Sequence, residues 1–195
     1  MTIEMAWENR NWVDFLRYDE QINHPIREMI ASHGLGGSVI DTGCGTCIDY
    51  PLWHARGFAY TGLDFTPSFL NDAKILYPGI NTVLADAADT GLPDRGFNTV
   101  FCKDLLEHLP PGRCEVVVWE MWRITDKRMM LGFFLAPTDA LTEYGMVETG
   151  PHWMNCYNKA DFIELLKRLP SANLTEIIED IGYNHSALYI IDRLT

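Results

Sequence analysis

No stretch of this 195-residue chain approaches the ~20 apolar residues a membrane-crossing helix needs. The first residues, Met-Thr-Ile-Glu-Met-Ala-Trp-Glu, lack a basic region followed by an apolar one, so no secretory leader is expected. Positive charge is scarce. Fifteen Lys and Arg stand against 27 Asp and Glu, a formal net charge of −12. A field of that sign repels phosphate backbones, which argues against nucleic acid as a partner. The one tight basic group, Asp126-Lys-Arg128, reads as a turn. Five cysteines are too few for a disulfide framework in a chain this long and read as reduced, cytoplasmic thiols. The six histidines show no metal-binding spacing, so no metal is expected. Internal repeats and low-complexity segments are also missing.

The composition, 47% hydrophobic and 22% charged, is that of an ordinary globular chain, and the length suits one domain over residues 1–195. Apolar residues at helical intervals predict N-terminal helices over 3–18 (Trp12, Phe15, Leu16) and 20–33 (Ile22, Ile26, Ile30). They form a helical cap over residues 1–35. Strands and helices then alternate: strand 38–41, helix 46–56, strand 59–63, helix 67–76, strand 81–84, strand 97–102, helix 112–124 and strand 128–135. Alternation of this kind implies a mostly parallel sheet with helices on both faces. Residues 136–158 have no clear period and read as a long loop, of a kind that is usually functional. A helix over 159–169 follows, then strands 174–180 and 187–192 joined by a short connection that suits an antiparallel hairpin.

The most informative segment is Val39-Ile-Asp-Thr-Gly-Cys-Gly-Thr46. A short apolar strand runs into Asp41, and a glycine turn follows at Gly43 and Gly45. An open α/β sheet presents a cofactor at such a place, because glycines let the backbone approach a ligand and the next helix offers free N–H groups. Asp64 lies 21 residues after Gly43, at the end of the second strand, where a carboxylate can accept both hydroxyls of a ribose. The third strand leads to Asp86-Ala87. Acids at three strand ends suit a cationic, adenosine-bearing ligand better than a pyrophosphate.

In these pieces, with Gly62-Leu-Asp-Phe-Thr66, Leu92-Pro-Asp-Arg-Gly-Phe-Asn-Thr-Val100 and Leu106-Glu-His-Leu109, the chain resembles the class I S-adenosylmethionine-dependent methyltransferases, and most nearly their small, type 11-like members. The resemblance spans about residues 36–193. Cys47 stands where many members carry a third glycine. The resemblance implies a Rossmann-like, seven-stranded, mostly parallel sheet whose last strand is antiparallel, with S-adenosyl-L-methionine as the cofactor. It implies that the backbone of Gly43, Cys44 and Gly45 approaches the methionine and ribose portion. Asp41 would orient the loop or reach the amino group through water. Asp64 would bind the ribose, and Phe65 would offer a face to adenine. Asp86 and the N–H of Ala87 would meet the adenine edge. The backbone of Lys103 would line the cofactor, its side chain turned away from the sulfonium.

Each assignment has a plainer alternative. Asp64 and Asp86 also suit caps or turns. Cys44-Gly-Thr-Cys47 is also the arrangement of a redox dithiol, though that reading leaves Asp64 and Asp86 unexplained. His108 is the candidate general base, or simply a helix residue near the cofactor. Tyr18, Tyr144, His152, Trp153 and Tyr157 are the substrate-side candidates, drawn from the N-terminal helices and the 136–158 loop, and each could equally be packing. The resulting expectation is methyl transfer to an O, N or C nucleophile of a small molecule, with a protein side chain as the second choice of acceptor. A non-catalytic cofactor-binding partner is the first alternative. An NAD-dependent oxidoreductase is the second, disfavoured by Ile48 where a Gly-x-Gly-x-x-Gly turn requires glycine.

Overall fold

The computed structural model describes residues 26–146, 153–181 and 186–195. A helix over 26–32 (α1) ends at the expected His33-Gly34. The chain then runs through β1 (Ser38–Thr42), α2 (Tyr50–Ala55), β2 (Ala59–Asp64), α3 (Pro67–Leu76), β3 (Asn81–Leu84) and β4 (Phe97–Lys103). A single 3₁₀ turn, Leu106–His108, precedes α4 (Arg113–Ile124) and β5 (Thr125–Phe133). Two short strands, β6 (Glu143–Met146) and β7 (Trp153–Cys156), lead to α5 (Lys159–Lys167), β8 (Ala172–Glu179) and β9 (Ala187–Arg193). The predicted helices over 3–18 and the first part of 20–33 lie outside the described residues.

Seven strands form one sheet in the order β3-β2-β1-β4-β5-β9-β8. Pairing is parallel from β3 through β5, and β9 alone runs antiparallel to its neighbours β5 and β8. The order reverses between β1 and β4. A crevice opens at the strands' carboxyl ends wherever crossovers diverge in this way, so the topology fixes where a ligand can sit.

Both faces of the sheet are covered. Ile40, Leu63, Val100 and Leu131 pack on one side with Val117, Val118, Trp122, Phe162 and Leu166. Val39, Phe101, Met130 and Ile190 pack on the other with Ile30, Trp53 and Leu70. Alternate residues of each central strand thus enter opposite cores, which is why these strands read as continuous apolar runs.

Asp126-Lys-Arg128 is not a turn but the start of β5, which follows α4 without a loop. The reason is Arg128. It donates to both carboxylate oxygens of Asp192 on β9, at 2.7 and 2.9 Å, and to the carbonyl of His33 at 2.6 Å. The Arg128 charge, which looks like part of a solvated turn in sequence, is a cross-strand partner in the sheet. The 136–158 segment also differs from its reading as an unstructured loop. Within it β6 and β7 pair antiparallel, with Tyr144 opposite Asn155 and Gly145 opposite Met154.

Candidate cofactor and active site

The glycine loop leaves β1 at the reversal point. Gly43 and Gly45 have φ of +75° and +53°, where a side chain is strained. The N–H groups of Gly43 and Cys44 both donate to the Leu63 carbonyl, at 2.8 and 3.0 Å, which ties the loop to β2. A Cβ on Gly43 would stand 2.9 Å from the Leu105 side chain, whereas one on Gly45 would meet only Phe69, at 4.0 Å. Gly43 is therefore glycine for packing, and Gly45 keeps an open side of the loop clear. Cys47 also has a positive φ of 57°, which interrupts the helix predicted from residue 46 and delays α2 to Tyr50.

Behind the loop, Gly62 of β2 makes room for two thiols. A Cβ there would lie 2.5 Å from the Sγ of Cys47 and 2.9 Å from that of Cys44. Gly62→Ala is expected to destabilise the fold by ~1–3 kcal/mol through overpacking, visible as a lower urea midpoint.

Asp64 is buried at the end of β2. Its two oxygens accept from Gly45 N–H at 2.9 Å and from Thr66 N–H at 2.8 Å. Burial raises its pKa, and those N–H groups pull it partly back. The carboxylate thus fastens the glycine loop to the end of β2 and keeps further lone pairs for a ligand's hydroxyls. Asp41 is also buried and accepts the Tyr60 hydroxyl at 2.7 Å. Burial, reinforced by the negative charge of Asp49, raises its pKa to about 8, while Tyr60, Arg27 and Lys103 oppose the rise. Asp86 is half exposed, accepts from Ala88 N–H at 2.9 Å and pairs with Arg113 of α4. Ala87 and Phe65 are half-buried beside these acids.

Lys103 ends β4. Its ammonium pairs with the adjacent Asp104 and its stem lies against Gly132. The 3₁₀ turn that follows is gripped from four sides. The Leu106 carbonyl accepts the Tyr157 hydroxyl at 2.7 Å. Glu107 accepts from the N–H of Phe134 at 2.8 Å. The Nδ1 of His108 lies 2.8 Å from the Trp153 carbonyl, and the Leu109 carbonyl accepts the amide of Asn155 at 2.7 Å. Asn155 and Tyr157 are alternate residues, so their side chains share one face of β7 and its continuation, and Trp153 adds its main-chain carbonyl. A carbonyl only accepts, so Nδ1 of His108 carries a proton.

Of the substrate-side candidates, Trp153 is half-buried on the ribbon and Tyr144 is exposed, its ring edge-on to that of Tyr157. Tyr157 is buried, with its hydroxyl facing the turn rather than open space. Tyr18 and His152 lie outside the described residues.

Four residues the sequence reading passed over shape this site: Tyr60 on Asp41, Glu107 at the end of β5, Asn155 on the turn, and Arg27. The buried Arg27 donates to Asp49 at 2.6 Å and also to the Ile48 carbonyl. Among them only Glu107, a carboxyl inside an apolar segment, left a trace in the sequence.

Residues 39–128 match the protein family described as Methyltransferase domain. The chain is 33% identical over 136 residues, 64% of its own length, to a phosphatidylethanolamine N-methyltransferase of Cereibacter sphaeroides. Residues 39–128 thus carry a methyltransferase domain. The fold is that of a Burkholderia thailandensis 1,6-didemethyltoxoflavin-N1-methyltransferase crystallised with its substrate and S-adenosylhomocysteine (TM-score 0.74, 13% identity, 99% of this chain and 85% of that one). It is also that of a Synechocystis magnesium protoporphyrin IX methyltransferase with bound S-adenosylmethionine (TM-score 0.67, 20% identity, 99% and 92%). The chain covers 66%, 42% and 38% of the lengths of three curated relatives it matches.

The methyltransferase donor is S-adenosylmethionine, and the described residues fit it. Gly45 leaves an open cradle beside the Asp64 carboxylate. The buried hydroxyls of Thr42 and Thr46, at the two ends of the loop, have no hydrogen-bond partner among the described residues. Such groups normally find one in a ligand or in ordered water.

Proposed function

We propose that this methyltransferase acts on a small molecule, placing a methyl group on an oxygen, nitrogen or carbon nucleophile. The observation that carries this reading is the convergence, at the β1/β4 reversal point, of an open glycine loop with a 3₁₀ turn presenting His108. The names of the relatives support the substrate class, since they act on a lipid amine, a toxoflavin precursor and a porphyrin.

S-adenosylmethionine, when bound, supplies a methyl group already activated as a sulfonium. The protein's own work is then to position partners and exclude water. Gly43, Cys44 and Gly45 form the wall for the methionine and ribose portion. Asp64 accepts the ribose hydroxyls, while Phe65, Asp86 and the Ala87 N–H bound the adenine end. Lys103 contributes backbone, its charge answered by Asp104. His108 takes a proton on Nε2 when the acceptor is an alcohol or an ammonium, because its Nδ1 proton is committed to Trp153. The β6–β7 ribbon, with Tyr144 and Trp153, forms the acceptor side.

The test is a calorimetric titration with S-adenosylmethionine, S-adenosylhomocysteine and NAD, followed by a panel of small amines, carboxylates and phenols assayed by S-adenosylhomocysteine release. Micromolar affinity for the first two ligands is expected, about −7 to −8 kcal/mol. No binding at millimolar ligand would exclude the reading. Replacing residues 143–156 with a short Gly-Ser linker is expected to abolish turnover while cofactor affinity stays within about tenfold, ~1.4 kcal/mol. Retained turnover would remove the ribbon from the acceptor site.

A further inference from the structure

The two cysteines of the glycine loop point at each other. The Sγ atoms of Cys44 and Cys47 are 3.4 Å apart, both side chains are buried, and both occupy the space that Gly62 leaves open on β2. The backbone N–H of Cys47 donates to the carbonyl of Cys44 at 2.8 Å, so residues 44–47 close as a reverse turn. Such a turn brings its first and fourth Cα atoms to within about 7 Å, near the span a disulfide bridges. Cys102, Cys114 and Cys156 are free thiols with no such partner.

We propose that Cys44 and Cys47 form a reversible disulfide that lowers the affinity of the glycine loop for S-adenosylmethionine. The reaction is an oxidation by a peroxide. One thiolate attacks a peroxide oxygen and becomes a sulfenic acid, releasing water. The second thiol then displaces that hydroxyl as a second water, forming the S–S bond. Two thiols and one hydrogen peroxide thus give one disulfide and two waters.

The coupling to the cofactor follows from position. Gly45 lies between the two cysteines and donates its N–H to Asp64. Drawing the sulfurs from 3.4 Å to the bonded ~2.0 Å tightens the turn that carries this N–H, and the ribose-binding carboxylate loses the loop geometry it was fastened to. Burial, with Asp41 and Asp64 nearby, raises the pKa of the Cys44 thiol, so oxidation is slow and the reduced loop is kinetically protected. Cys44 is 8% exposed and Cys47 is fully enclosed, so only a small oxidant is expected to enter.

This inference rests on the reading of the loop as the cofactor site, and its test separates the two. Folded protein is equilibrated for hours in glutathione buffers of graded potential, or with hydrogen peroxide. Disulfide formation is read by mass and by the number of alkylatable thiols, and S-adenosylmethionine affinity by calorimetry. The expected result is a cross-link confined to Cys44 and Cys47, with affinity about tenfold weaker and restored by dithiothreitol; couplings between sites typically span 5–150-fold. Reciprocity requires that saturating S-adenosylmethionine favour the dithiol, raising the pair's reduction potential by about 30 mV for a tenfold difference. Cys47→Ser and Cys47→Ala are both expected to bind within about threefold of the reduced wild type and to ignore oxidant, at less than one tenfold step. A protein that binds nothing even when reduced overturns the cofactor site itself. Normal binding when reduced, with no Cys44–Cys47 cross-link or with one that leaves affinity unchanged, overturns the switch alone.

Discussion

Asp64→Ala is expected to weaken S-adenosylmethionine binding by at least tenfold and also to loosen the fold. Charge-assisted hydrogen bonds of the kind proposed between a ribose and this carboxylate are worth roughly 1.5–3 kcal/mol. The same oxygens accept from Gly45 N–H and Thr66 N–H, so truncation orphans two donors at the loop and at the start of α3. Each orphaned donor costs ~1–3 kcal/mol where water cannot replace the partner. Asp64→Asn tests whether one retained acceptor is enough for the fastening. Its side chain keeps one carbonyl oxygen, so it can satisfy one of the two N–H groups, while its NH₂ faces the other donor-to-donor. It is therefore expected to lose stability almost as Ala does. Calorimetric affinity and urea midpoints, both taken where every variant is folded, check this. A variant that loses stability yet binds as well as wild type would make Asp64 a structural fastening only.

Stability is expected to fall as pH rises from about 5 to 8, with Glu107 as one main contributor and Asp41 as another. Glu107 is fully buried, accepts from Phe134 N–H and Leu135 N–H at 2.8 and 3.4 Å, and has a second oxygen without a partner among the described residues. Burial, followed by the charge of Asp104, raises its pKa to about 8. Asp41 is raised to the same region, first by burial and then by Asp49. Both groups titrate near 4 in the unfolded chain. Between those values the folded protein holds protons that the unfolded chain has released. Folding therefore takes up protons, and stability drops by up to about 1.4 kcal/mol per pH unit for each group, fully present below pH 4 and lost through pH 8. Glu107→Gln keeps an acceptor for the two N–H groups and removes the titration. Its urea midpoints at pH 5.5, 6.5 and 7.5 are expected to lie flatter than wild type and to cross above it at the alkaline end. Parallel curves would mean that Glu107 ionises normally. Glu107→Ala is expected to be less stable at every pH, because it orphans the Phe134 N–H.

The sheet was legible in the sequence because its strands are short apolar runs ended by glycine or acid, and such runs report burial on both faces. The helix over 67–76 matched to the residue, since Pro67 fixes its first turn. The start of α2 did not, because a positive φ at Cys47 leaves no mark in residue type.

The sequence by itself determined the fold class, the strand that carries the glycine loop and the position of Asp64 at the end of β2, all of them local patterns with fixed spacing. Only the tertiary structure decided what those residues touch. The β6–β7 ribbon is four residues on each strand, too short and too mixed in polarity to show a period of two. It exists because Trp153, Asn155 and Tyr157 find partners in a turn 45 to 51 residues earlier. Asp41 meets Tyr60 across 19 residues, Arg27 meets Asp49 across 22, and Arg128 meets Asp192 across 64. A hydrogen bond depends on distance and angle in space, and neither follows from the spacing of residues along a chain until the sheet has set which strand lies beside which.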